Sequence, residues 1–377
     1  MAPPGYVDSD LEIARSTKPM KIEQVAEQLG LTPSDLIMHG PHIAKVSWQS
    51  LSSLKTNKRG KLILVTSVNP TPFGEGKTVT TIGLNQGLNH RGHNASCVIR
   101  EPSLGPVFGI KGGAAGGGFS QVLPMEQINL HFTGDLHAIT AAHNLCSAIL
   151  DNHLHRGNDL DIDTNRIFWP RVIDMNDRTL REVSIGLGGP ATGVTRSERF
   201  DITAASEVMA ILSLSKSYED MRSRLGRIIV AESKSGLPVT AEQLGASGSM
   251  ALLLREALLP NLVQTLEGNP AFVHCGPFAN IAHGNSSIIA DDLALSRSDY
   301  VVTEAGFGAE MGAEKALHIK ALASVVAPSC IVLNVTVRSM KLHGGGVAGG
   351  GGSRPVSYTH LRAHETVLDL VCRLLLE

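Results

Sequence analysis

The chain has 377 residues, enough for two or three domains with a sizeable core. Hydrophobic residues make up 42% and charged residues 18%, as in a water-soluble globular protein. The formal net charge of −2, with no basic stripe, argues against nucleic acid as a partner.

No apolar run approaches the roughly 20 residues needed to span a bilayer. The start, "MAPPGYVDSDLEIARS", has neither the basic nor the apolar region of a leader. An unprocessed cytoplasmic protein with no membrane partner is expected. Cys97, Cys146, Cys275, Cys330 and Cys372 are scattered and form no Cys-x-x-Cys pair. They read as small core residues in a reducing compartment rather than as disulfides or a zinc site.

In chain order, the apolar spacing of "KIEQVAEQLG" predicts a helix to about Leu29, ended by Gly30 and restarted at "TPSD". Leu62 to Val65 is a short continuous apolar run, the pattern of a strand buried on both faces. A glycine-bearing loop comes next, "NPTPFGEGKTVTT", Asn69 to Thr81, and then a helix from Thr78 to about Asn89. "ASCVIREPS" reads as a second buried strand ending near Arg100. Residues 61–101 thus form a strand–loop–helix–strand unit, which predicts a parallel sheet. Further buried strands are expected at 226–232, 271–277, 299–308 and 329–338. Each ends in polar or glycine residues, at the edge where open α/β sheets bind ligands. Helices are expected at 137–155 and 249–267. Gly344 to Gly352 is a flexible glycine tract. Beyond it, Val367, Leu370, Val371, Leu374 and Leu375 would share one face of a helix.

Several stretches carry candidate chemistry. In the loop, Lys77 can reach phosphate oxygens and Thr78 can ligate Mg²⁺. The backbone N–H groups of Gly74, Glu75, Gly76, Lys77 and Thr78 can cradle phosphates at the helix N-terminus. The strict G-x-x-x-x-G-K-[ST] pattern fails at one place, because Thr71 stands where its first glycine belongs. Arg100 and Glu101 sit where the next strand ends. An arginine fork suits a carboxylate or phosphoryl group, and a surface ion pair is the plainer reading. "GIKGGAAGGGFSQ", Gly109 to Gln121, holds six glycines between Gly109 and Gly118 around a single lysine, Lys111. It allows close approach of backbone to a ligand, or else a mobile hinge. "LHFTGDLHAI" offers His131, Asp135 and His137 without a standard zinc spacing. Glu304, ending the strand of "DYVVTEAGFG", either faces the loop and holds Mg²⁺ through water or caps a helix.

Taken together, these residues resemble the formate–tetrahydrofolate ligase family. The resemblance rests on "PTPFGEGKTVTT", which shares the family's departure from the strict loop pattern, and on "REPSLGPVFGIKGGAAGGGFSQV", with Phe119 where tyrosine is usual. It rests also on "TVRSMKLHGG", with Met340 where leucine is usual, and on "HFTGDLHAI", "VIDMNDRTLR" and "DYVVTEAGFGAEMGAEK". It runs from about Asp8 to Gly346. His39 stands where the family has tyrosine. Family members continue past the last signature with a further domain that helps hold the folate ring. The tail after the glycine tract resembles a translated sequencing adapter, so residues 347–377 read as linker and non-native tail on a truncated chain.

The resemblance implies an α/β fold: a phosphate-loop NTPase-like parallel sheet domain, residues 1–108 and 305–346, with a second inserted α/β domain, residues 109–304. It implies ATP-dependent ligation of formate to tetrahydrofolate. ATP phosphorylates formate, and the N10 amine of tetrahydrofolate then attacks the formyl phosphate. Lys77, Arg100 and Glu101 would be catalytic, with Arg100 holding formate and formyl phosphate. Thr71, Pro72, Phe73, Gly74, Glu75, Gly76, Lys77, Thr78, Lys111, Gly112 and Gly113 would line the ATP and intermediate site. Thr78 and Glu304 would serve Mg²⁺. A homo-oligomer is expected. The competing readings are a phosphate-loop switch ATPase and a non-catalytic ATP-binding remnant.

Overall fold

The computed structural model describes residues 9–52, 60–71, 74–108, 115–277 and 282–344. Its largest element is one sheet built from β1 (Leu36–Met38), β2 (Ala44–Val46), β3 (Lys61–Ser67), β4 (Ala95–Ile99), β5 (Ser120–Leu123), β6 (Asn261–Thr265), β7 (Pro270–Val273), β8 (Tyr300–Glu304) and β9 (Cys330–Asn334). The order is β1-β2-β6-β7-β4-β8-β3-β9, and β5 branches from β6. The five strands β7, β4, β8, β3 and β9 are parallel. β1, β2 and β6 add an antiparallel end.

Five helices frame the sheet and its loops: α1 (Lys77–His90), α2 (Asp135–His155), α3 (Ser247–Leu253), α4 (Ile288–Arg297) and α5 (Val337–His343). The apolar runs are continuous because both faces of the sheet are covered. Val98 points into one core with Leu62, Leu262, Phe272 and Val301, under Ala290, Leu293 and Ala294 of α4. Its neighbours Cys97 and Ile99 point into the other, with Val65, Val263, Val273 and Ile82 of α1. A third core lies in the middle of the chain. There α2, the helices Glu207–Leu214 and Tyr218–Gly226, and α3 pack with a three-stranded antiparallel sheet of Ile162–Ile167, Ile229–Ser233 and Pro238–Thr240.

Three expectations need correction. The predicted helix 249–267 is α3 alone; after it Pro260 removes a helix donor, and "NLVQT" becomes the fully buried strand β6. The strand expected at 226–232 exists as Ile229–Ser233 but belongs to the small sheet, so its end is not on the ligand edge. "TPSD" forms one 3₁₀ turn at Pro33–Asp35 before β1 rather than a second helix. The two strands of the expected strand–loop–helix–strand unit, β3 and β4, are parallel, with β8 between them. Residues 261–304 return three strands, β6, β7 and β8, to the large sheet.

Two buried histidines tie helix starts to the layers beneath. His274 Nε2 lies 2.9 Å from the Ala257 carbonyl, so it carries the proton; Nδ1 then accepts from Ser287 Oγ at 2.6 Å. Ser287 Oγ in turn accepts the Ala290 N–H at the start of α4. His143 repeats the arrangement with the Pro170 carbonyl and Ser206, which caps Glu207–Leu214. Both rings are satisfied as neutral groups, and burial pulls their pKa values from 6.5 down to about 4. A depressed histidine pKa gives stability that is present above the unfolded value and lost as pH falls toward the folded one. The expected loss is about 2 kcal/mol per histidine by about pH 5. Urea unfolding as a function of pH measures it, and His274→Gln should flatten part of that slope.

Candidate functional site

The loop after β3 turns on two glycines. Gly74 and Gly76 have φ of 78° and 69°, and no atom lies within 4 Å of where a Cβ would stand. The left-handed backbone, not crowding, requires glycine at both. Gly76 is the N-cap of α1 and brings no side-chain cap, so the first-turn N–H groups face outward as donors for an anion. Thr71 is buried, and its carbonyl accepts the Gly74 N–H at 3.2 Å. Lys77 Nζ donates to Ser67 Oγ at 3.3 Å, and Ser67 Oγ donates to the Phe307 carbonyl at 3.2 Å. Pro72, Phe73, Lys111, Gly112 and Gly113 lie outside the described residues.

The interposed strand β8 is what joins the rest. Its last residue, Glu304, accepts from Thr78 Oγ1 at 2.7 Å on the β3 side and meets Arg100 Nη2 at 3.5 Å on the β4 side. Arg100 Nη1 donates to the Pro277 carbonyl at 2.6 Å, while its Nε is buried with no hydrogen-bond partner. Three sheet ends thus converge on one carboxylate. Glu101 points elsewhere, into the buried interior. Burial raises its pKa well above the carboxylate range, the charges of Asp135 and Asp174 add to the rise, and Lys45 opposes it. One of its oxygens, Oε2, has no hydrogen-bond partner.

"HFTGDLHAI" separates on folding. Asp135 begins α2 and binds buried Lys45, whose ammonium lies 2.8 Å from both carboxylate oxygens. His131 and His137 are exposed. Among the described residues no cluster of three or more histidine, cysteine or acidic side chains is arranged to hold a metal.

Two groups of supporting contacts were not foreseen from the sequence. Thr336 Oγ1 donates to Glu75 Oε2 at 2.8 Å and also caps α5 by accepting the Ser339 N–H. Asn334 donates to Thr80 Oγ1 at 2.7 Å, and Ser339 Oγ donates to the Asn69 carbonyl at 3.1 Å. The stretch "TVRSMKLH" is therefore a brace behind the glycine loop. On the other side, Asp174 accepts from Ser103 Oγ at 2.5 Å and from the Leu104 N–H at 3.2 Å, gripping the turn beyond Arg100 and Glu101. Both stretches, "TVRSMKLHGG" and "VIDMNDRTLR", stood out only as signatures of the resemblance, without a structural role. Thr336→Ala removes the cap and the Glu75 partner together. It should cost about 1 kcal/mol of stability, read as a fall in the urea midpoint.

A mostly parallel sheet that collects a glycine loop, an arginine and an acidic strand end along its C-terminal edge defines an α/β protein of the nucleotide-binding type. The profile of one family, formate–tetrahydrofolate ligase, matches residues 8–366. Among curated relatives of that name, the protein of Roseiflexus sp. is 57% identical over 89% of this chain and 60% of its own length. The Mesorhizobium japonicum protein is 58% identical over 90% and 61%, and the Ruegeria pomeroyi protein 55% over 93% and 62%. The chain belongs to the formate–tetrahydrofolate ligase family. It spans about 60% of the length of the curated relatives it matches.

Proposed function

We propose that this chain carries the activation site for ATP-dependent ligation of formate to tetrahydrofolate, giving 10-formyltetrahydrofolate, ADP and phosphate. The observation that carries the reading is the chain of contacts Thr78–Glu304–Arg100, which sets an uncommitted guanidinium N–H beside the glycine loop. In the first step a formate oxygen attacks the γ-phosphorus and the bond to ADP breaks. In the second the N10 nitrogen bonds the formyl carbon, phosphate leaves, and nitrogen loses its proton. Formate is a poor acyl donor until phosphate replaces oxide as its leaving group.

Catalysis then rests on positioning and charge. Lys77 and the outward N–H groups of α1 meet the phosphate oxygens. Arg100, whose Nε has no hydrogen-bond partner, offers its guanidinium charge and that donor to the carboxylate of formate. Glu304 holds Arg100 and Thr78 at a fixed separation. The hydroxyl of Thr78 and the carboxylate of Glu304 are hard oxygen donors that suit Mg²⁺, which when bound neutralises charge on the β- and γ-phosphates. Glu101 lies buried next to Arg100 in sequence, with Asp174 holding the turn that follows.

We read residues 1–108 and 305–346, with the strands that return between 261 and 304, as the nucleotide-binding lobe, and the remaining middle residues as the second. A cytoplasmic setting is supported by free thiols at Cys97, Cys146, Cys275 and Cys330, and among the described residues no helix is long and apolar enough to cross a membrane. The resemblance to a commonly tetrameric family supports a homo-oligomer. Family membership favours this reading over a phosphate-loop switch.

The test is to incubate the chain with Mg-ATP, formate and hydroxylamine, and to assay formohydroxamate. Trapped product that depends on formate and falls by about 10²-fold in Arg100→Lys supports the assignment. ATP turnover indifferent to formate would sink it.

A further inference from the structure

Away from the loop edge the fold encloses a cavity of about 810 Å³, between the middle core and the outer face of α4. Its walls come from the helix Trp48–Ser52, the start of Tyr218–Gly226, the end of α3, and Ile289, Asp292 and Ser296 on α4. The chain of contacts Thr78–Glu304–Arg100 includes none of these residues. The volume lies within the range of small-molecule sites, and the junction between two packed units is a common place for one.

Its lining has a definite chemistry. Trp48 and Tyr218 are half-buried and pack on the middle core, so each offers a ring held in place from behind. Two cations and two acids also line the cavity: Lys216, Arg255, Glu219 and Asp292. The acids are engaged. Glu219 is bound to the N-terminus of its own helix and to Ser217, which holds its carboxyl below the usual range, and Asp292 has a partner although its Oδ1 is buried without a hydrogen bond. The cations are different: among the described residues neither the Lys216 ammonium nor the Arg255 guanidinium is in an ion pair. Aromatic walls with two uncommitted cations at the mouth favour a flat ring that carries negative charge. The ring stacks on the indole or phenol face, and the charge meets a guanidinium able to bind an anion bidentately.

We propose that this cavity is a second ligand site, distinct from the phosphate-loop edge, for an anion built on a flat aromatic ring. Two sources share that chemistry: nucleotides, and folates with their glutamate arm. The site does not depend on the activation reading above.

Two probes separate the sources and avoid the loop site: AMP, which lacks β- and γ-phosphates, and p-aminobenzoyl-glutamate. Calorimetric titration gives the affinity, and tryptophan emission gives the place. The chain has two tryptophans, and Trp169 is buried and stacked 4.0 Å from His143, so Trp48 is the one that a ligand can reach. We expect saturable binding of at least one probe with a change in Trp48 emission. It should weaken by about tenfold in Arg255→Ala and persist in Lys77→Ala. Arg255 is exposed, so that variant should fold as the parent does; its melting curve confirms this. Binding of AMP alone assigns the site to nucleotides, and of p-aminobenzoyl-glutamate alone to folates. No saturable binding, binding unchanged by Arg255→Ala, or binding lost in Lys77→Ala overturns the proposal. The last outcome would leave the activation reading standing.

Discussion

Replacing Lys77 with alanine is expected to lower formohydroxamate formation from ATP, formate and hydroxylamine by about 10²–10³-fold and to leave the fold intact. Lys77 opens α1, and its ammonium reaches back across the loop to Ser67 at the end of β3. That hydroxyl is a weak neutral partner, which triphosphate oxygens would displace. Charge spreads over the γ-phosphoryl oxygens in the transition state, so a fixed cation there acts on kcat more than on substrate binding. Little stability is at stake, because the side chain is part-exposed and a surface substitution of this kind stays within about 0.5 kcal/mol. Lys77→Arg makes the sharper control. It keeps the charge but replaces a compact ammonium with a broad planar fork, and should recover only a small part of the rate. An unchanged trapping rate in Lys77→Ala would remove the loop from the chemistry.

Much of the sheet was legible in the sequence because it is buried on both faces. Leu62–Val65, Ala95–Ile99 and Tyr300–Glu304 are near-continuous apolar runs, and each became a central strand. β6 was misread for the same reason. "ALLLREALLPNLVQT" is mostly apolar, interrupted by Arg255 and Glu256, and a buried strand and a buried helix look alike without a clear periodic signal. Pro260 was the available clue.

The site followed a similar division. Lys77, Thr78, Arg100 and Glu304 stood out as charged or hydroxyl residues at strand ends, and three of them, Thr78, Arg100 and Glu304, meet in the fold. Their meeting depends on β8 inserting between β3 and β4, a fact of topology that no local pattern encodes. Glu101 and Asp135 were chemically conspicuous but went inward, and only the long-range pairing with Lys45 reveals why. The bracing of Glu75 by Thr336 spans 261 positions of sequence, beyond the reach of any local rule.

That inward pairing leads to the largest expected effect on stability. Lys45 and Asp135 are almost wholly buried, with side-chain exposures of 1% and 4%. The ammonium also donates to the Leu259 carbonyl at 3.0 Å, and Asn261 Nδ2 donates to Asp135 Oδ2 at 2.8 Å. Every charge is matched, and β2, β6 and α2 are joined at one point. Lys45→Met preserves much of the volume and leaves the Asp135 carboxylate without its cation. Such an uncompensated buried charge costs about 3–5 kcal/mol, to be read as a fall in the urea midpoint with an unchanged m-value. Lys45→Met combined with Asp135→Asn should regain most of the loss, since a neutral amide can still accept from Asn261. The single variant should also act on Glu101, because Lys45 is the cation that restrains the rise of its pKa. With Lys45 gone, Glu101 holds its proton to still higher pH, so the pH at which its buried carboxyl ionises and costs stability moves upward. A Lys45→Met variant that unfolds at the parent's midpoint, or a double variant no better than the single, would mean that the pair is solvated and contributes nothing that the surrounding packing does not.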